Sequence, residues 1–142
     1  MNKQEYLDRG FKTILKFYKD LSIGRRKHGC YTTFYEDVKA KSGVYLIVKG
    51  DEVVKIGETV DVERRFKRLY AYNPEQTHSL IREYLNDGEF YEVLFYETVP
   101  EIVEVVGVQT KKGISYRDLE KALINEYVDK VGKLPALNKT YR

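Results

Sequence analysis

Apolar positions along this chain change their period several times, and each change predicts an element. In EYLDRGFKTILKFYKDL, Leu7, Phe11, Ile14, Leu15, Tyr18 and Leu21 recur at helical spacing, with Gly24 as a stop, so the pattern predicts an amphipathic helix. GVYLIV and EVVKIG are short β-branched runs joined by Lys49, Gly50 and Asp51, a hairpin signature. Asp61 is placed to cap a helix reaching about Tyr70, which Asn73-Pro74 ends. Thr77 can cap a short helix whose apolar face is Leu80, Ile81, Tyr84 and Leu85, stopped at Asp87-Gly88. The run from Glu89 to Val99 predicts a third strand. The valines between Glu101 and Gly113 offer a fourth, weakened by Gly107. Ser115 opens a last helix through SYRDLEKALINEYVDKVGK, with Asp118 in its first turn, and LPALNKTYR follows as a short extended tail.

Strands and helices mix without regular alternation, so the expected class is α+β, with a small, mostly antiparallel sheet of three or four strands flanked by helices. At 142 residues the chain suits one globular unit. Residues 1–41 are expected as a basic helical N-terminal extension and 42–142 as the main domain. No apolar run is long enough to span a membrane and the N-terminus lacks a signal pattern, so a soluble, cytoplasmic protein is expected. Cys30 is the single cysteine, which excludes an internal disulfide. With only His28 and His78 beside it, a zinc site within one chain would need carboxylates to complete it.

Charge is unevenly spread. Residues 1–41 hold ten Lys/Arg against five Asp/Glu, a balance of +5, while the remainder carries 15 against 17. The excess includes GRRKHG, so Arg25, Arg26 and Lys27 are candidate phosphate contacts, the alternative being a solvated loop.

Several polar residues fall where apolar ones are expected. In the helix after the hairpin, Val62, Phe66 and Leu69 define the buried stripe. Arg64 and Arg68 lie far from it and are solvated, free to meet a polyanion, whereas Arg65 sits at the stripe's edge and can reach into a site. In the last helix Tyr116, Leu119, Leu123, Ile124 and Tyr127 form the apolar face, and Glu120 lies inside it. A carboxylate there requires a paired cation or a bound metal. In the hairpin, a three-residue loop of Lys49, Gly50 and Asp51 pairs Tyr45 with Lys55, whereas a two-residue Gly50-Asp51 turn pairs Tyr45 with Ile56 and sends Lys55 to the other face. On a shared face, the ammonium would lower the pKa of Tyr45 and suit it to accept a proton from water.

GVY at Gly43 to Tyr45, KIG at Lys55 to Gly57 and the following DVERRF together resemble the GIY-YIG nuclease domain. In that family the two short motifs lie on neighbouring strands and an arginine follows the second glycine by two helical turns, the place Arg65 occupies. A metal-binding glutamate followed by Leu-Ile sits on a later helix, matched by Glu120 in LEKALI, and a closing asparagine is matched by Asn138 in LPALN. Lys55 stands where most members have tyrosine, as in some restriction-type members. His78 lies in the interval where a histidine or tyrosine often assists. The segment from Val99 to Gly113 reads as an insertion before the catalytic helix.

The resemblance implies a metal-dependent DNA endonuclease of compact restriction or mobile-element type. One divalent cation, Mg²⁺ or Mn²⁺, would sit on Glu120, with Tyr45 as general base helped by Lys55, and Arg65 stabilising the transition state. Double-strand cleavage would favour a homodimer. A different reading remains beside it: a nucleic-acid-binding module that keeps the fold without the chemistry, its thirteen tyrosines stacking on bases.

Overall fold

Gly10 decides the N-terminal architecture. The first helix, α1 (Lys3–Asp8), opens with a capping box between Asn2 and Glu5. It ends in a Schellman-type turn in which Gly10 N–H donates to Leu7 O and Phe11 N–H to Tyr6 O. Gly10 holds φ +101°, outside the range that residues with a Cβ adopt readily. The chain then leaves extended as β1 (Lys12–Lys19), a strand where helical spacing predicted a continuing helix. The cause is a β-bulge between Thr13 and Leu15, which puts both Ile14 and Leu15 into the core and so imitates a helical apolar pair.

The computed structural model describes residues 1–72, 79–98, 104–106, 109–111 and 116–138. After β1 come β2 (Cys30–Phe34), β3 (Gly43–Lys49), β4 (Glu52–Thr59) and α2 (Val62–Arg64), which runs directly into a π-helix (Arg65–Tyr70). Next are α3 (Ser79–Glu83), β5 (Phe90–Glu97), the short strands β6 (Glu104–Val106) and β7 (Gln109–Lys111), and α4 (Tyr116–Val131). Five strands form one antiparallel sheet in the order β2-β1-β5-β3-β4, and β6 pairs β7 separately. The three-stranded sheet expected from the sequence is therefore its β5-β3-β4 half. The first 41 residues are not a helical extension but supply α1 and the other two strands.

Helices cover both faces of the sheet. On one, Leu15, Phe17, Tyr45, Ile47, Tyr91, Val93 and Phe95 pack beneath Val62, Phe66, Tyr70, Ile81 and Leu85. On the other, Val44, Leu46, Val48, Ile56 and Leu94 meet Tyr6 of α1 and Leu123, Ile124 and Tyr127 of α4. The first of these faces carries the candidate site. Among the described residues no helix is long and apolar enough to cross a membrane.

Candidate active site

The β3–β4 hairpin sets the site's geometry through one irregularity. Gly50 and Asp51 form a two-residue turn with Lys49 opposite Glu52, and Gly50 supplies the positive φ of +65° that the turn needs. Val48 faces Val53, but a bulge at Val54 then shifts the register, so that Ile47 faces Lys55 and Tyr45 faces Gly57. Neither pairing expected from the sequence occurs. The bulge nonetheless returns Lys55 to the face of Tyr45, two pairs away along the strands. Tyr45 lies over Gly57 so closely that a Cβ there would sit 2.3 Å from Tyr45 Cζ.

Beyond β4, Asp61 caps α2 by accepting from Arg64 N–H at 3.1 Å, and Val62 N–H donates to Lys41 O at 3.0 Å. The wider π pitch then replaces the expected stripe residue Leu69 with Tyr70, which is buried with Val62 and Phe66. It also aligns Arg65 with Tyr70, five residues on. The Arg65 guanidinium hydrogen-bonds the Tyr70 side chain and lies 5.8 Å from its ring centroid. The Tyr70 and Tyr45 hydroxyls are 2.5 Å apart, and Phe66 meets both rings edge-on. Thr32 of β2 donates to Phe66 O at 2.9 Å, and buried Arg82 donates to Tyr70 O at 2.9 Å, so both halves of the π-helix are tied to the body of the protein.

Glu120 stands on α4, whose Leu123, Ile124 and Tyr127 pack on the other face of the sheet. It is 5% exposed and acts electrostatically on both Tyr45 and Tyr70. Burial pushes the Tyr45 phenol well above its ordinary value, aided by Tyr70 and Glu120 and opposed by Arg65. Burial likewise raises Tyr70, against hydrogen bonds from Tyr45 and Arg65 that lower it. Desolvation thus outweighs Arg65, and the lowered Tyr45 pKa expected from a nearby lysine is reversed in the free protein.

Sequence reasoning missed Tyr70. Its signal, a tyrosine five positions after Arg65, is readable only if the helix takes π pitch. His78 lies outside the described residues. Asn138 stands away from the hydroxyl pair: its amide accepts from Ile56 N–H and donates to Ile56 O, both at 2.9 Å, closing the free edge of β4 beside Gly57. Arg64 and Arg68 are exposed, and Arg25, Arg26 and Lys27 lie in the β1–β2 loop.

Among the described residues no three His, Cys, Asp or Glu side chains cluster as a metal cage. A single buried carboxylate fits a hard cation such as Mg²⁺, which keeps most of its waters and is completed by a substrate phosphate. It does not fit zinc. Cys30 and His28 are instead bonded to one another locally, Cys30 N–H donating to His28 Nδ1 at 3.0 Å.

The chain is similar to a solved structure described as restriction endonuclease HPY188I in complex with product DNA, with a TM-score of 0.53, 15% identity, and coverage of 99% of this chain and 87% of that one. No family model matches the sequence, and no curated protein matches it.

Proposed function

We propose that the protein is a metal-dependent DNA endonuclease of the GIY-YIG type. The observation that carries this reading is the hydroxyl pair of Tyr45 from β3 and Tyr70 from the π-helix, beside Arg65, with the buried carboxylate of Glu120 on α4 acting electrostatically on both phenols. The fold shared with an endonuclease solved on product DNA supports it.

Tyr45 is the general base in its phenolate form: the phenol first gives its proton to solvent when bound substrate and cation favour the anion, the phenolate oxygen then accepts a proton from the attacking water, and Tyr70 holds that oxygen in place. Tyr70 also takes the assisting position considered for His78. Arg65, already bonded to Tyr70, offers a planar donor fork to charge developing on the phosphate oxygens. Lys55, on the same sheet face, adds positive charge that favours the phenolate of Tyr45. Glu120 would hold a divalent cation, which when bound supplies Lewis-acid stabilisation of the phosphate and leaving oxygen. Asn138 acts by fixing β4, the strand that carries Lys55 and Gly57. The basic β1–β2 loop, with Arg64 and Arg68, provides the field that draws in the DNA backbone. Cutting both strands would take two copies.

The complete burial of Tyr45 favours a second reading, a DNA-binding module without cleavage. Plasmid cleavage and gel shift on the native protein and on Glu120→Ala separate the two. Native nicking that Glu120→Ala loses supports the nuclease. Intact plasmid with a persistent shift in both supports the module.

A further inference from the structure

The three cations of the β1–β2 loop have unequal surroundings. Arg25 and Lys27 are exposed. Arg26 is half-buried, with its guanidinium 5.2 Å from the Tyr31 ring centroid and 5.6 Å from that of Tyr72, and Nη1 donates to Cys30 O at 3.2 Å. Tyr31 belongs to β2, whereas Tyr72 lies two residues beyond the π-helix that carries Arg65. Arg26 therefore bridges the loop to the far end of the candidate catalytic helix. The loop is also tied to β2 and to the turn before β5. Arg25 and Arg26 N–H both donate to Tyr31 OH, at 3.1 and 3.0 Å, and Leu21 N–H donates to Asp87 Oδ1 at 2.9 Å.

We propose that residues 20–29 form a preformed finger that engages duplex DNA through Arg25 and Lys27, and that Arg26 is a positioning residue registering this finger against the π-helix. Planarity suits Arg26 to that role, because a guanidinium can stack on two rings while donating in its own plane, which an ammonium cannot do. A finger held this way loses little conformational freedom on binding, and its distance from Arg65 is fixed, so the phosphate it selects is registered to the cleavage site. The proposal rests on the endonuclease reading for its ligand, but its test does not require cleavage.

The test is equilibrium binding of a fluorescent duplex in EDTA across a salt series, with folding of each variant checked by thermal melting. Arg25→Ala and Lys27→Ala should each reduce the salt slope by about one. Arg26→Lys, which keeps the charge, and Tyr72→Ala, which removes none, should each weaken binding about fivefold, the scale of a lost cation–π contact. The Arg26→Lys/Tyr72→Ala double variant should be no weaker than either single one. If Arg26→Lys and Tyr72→Ala bind as the native protein does, Arg26 is no clamp. Unaltered slopes for Arg25→Ala and Lys27→Ala, or no duplex binding by the native chain, overturn the finger itself. Binding with these signatures but without cleavage under Mg²⁺ would sink the nuclease reading alone.

Discussion

Tyr45 and Gly57 face each other across β3 and β4, and the tyrosine ring occupies the space that any side chain at position 57 would need. The glycine is therefore a steric requirement of the Tyr45 position, independent of turn formation. Gly57→Ala should destabilise the protein by about 1–3 kcal/mol, the usual cost of overpacking, and should displace the Tyr45 hydroxyl from Tyr70. Urea unfolding together with cleavage assays reads both effects. A variant as stable and active as the native protein would contradict this packing.

The hydroxyl pair makes Tyr70 more than a core residue. Tyr70→Phe keeps the ring contacts with Phe66 and Tyr45 but removes the group that Tyr45 OH and Arg65 share. Cleavage should fall roughly 10²-fold, within the range for losing an acid–base partner, with DNA affinity nearly unchanged. Single-turnover rates beside binding titrations would reveal the split.

Asn138 protects an edge. Its amide forms two bonds with the Ile56 backbone, and Leu137 N–H donates to Val54 O at 2.7 Å next to the bulge. Asn138→Ala should cost about 1–3 kcal/mol in stability through the unpaired strand groups it leaves. Hydrogen exchange at the Ile56 amide should accelerate more than at the central β5 amides. Equal acceleration across the sheet would mean that the tail does not protect β4 locally.

Buried phenols give the protein an alkaline limit. Burial raises Tyr6 to about 12, with Glu126 adding to the effect and Arg9 opposing it, and burial also raises Tyr45, Tyr70 and Tyr91. The unfolded chain releases phenolic protons near pH 10, so the folded state keeps its full advantage below that value. Above it the unfolded state is favoured progressively, and the share from Tyr6 is spent by about pH 12. Urea midpoints should hold from pH 8 to 9 and fall from about pH 10 upward. Tyrosinate absorbance reaching the value for all thirteen tyrosines while the chain is still folded would contradict the burial of these residues.

Where the chain obeys a regular period, the sequence was a sound guide. The hairpin motifs, the Asp61 cap, the strand from Phe90 and the polar intruder Glu120 in the face of α4 were all legible. The departures share a physical cause, since each is an irregularity of about one residue. The bulge at Ile14 disguised β1 as helix, and the bulge at Val54 produced a hairpin register between the two simple turns. The π pitch after Arg65 exchanged Leu69 for Tyr70 in the buried stripe. Such insertions cost little locally and are stabilised by long-range packing, which a window of sequence does not contain. The basic loop shows the same limit: its three cations look alike in sequence, and Arg26 is set apart by its burial, its bond to Cys30 O and the distant Tyr72.

Whether Tyr45, Arg65, Tyr70 and Glu120 form one hydrolytic site can be decided by single-turnover cleavage of end-labelled DNA in Mg²⁺, comparing the native protein with Glu120→Gln at saturating protein. A shared site requires cleavage by the native chain and a loss of at least about 10³-fold in Glu120→Gln with DNA binding retained. Native protein that binds DNA without cutting it, or a Glu120→Gln variant that cuts at the native rate, would contradict it.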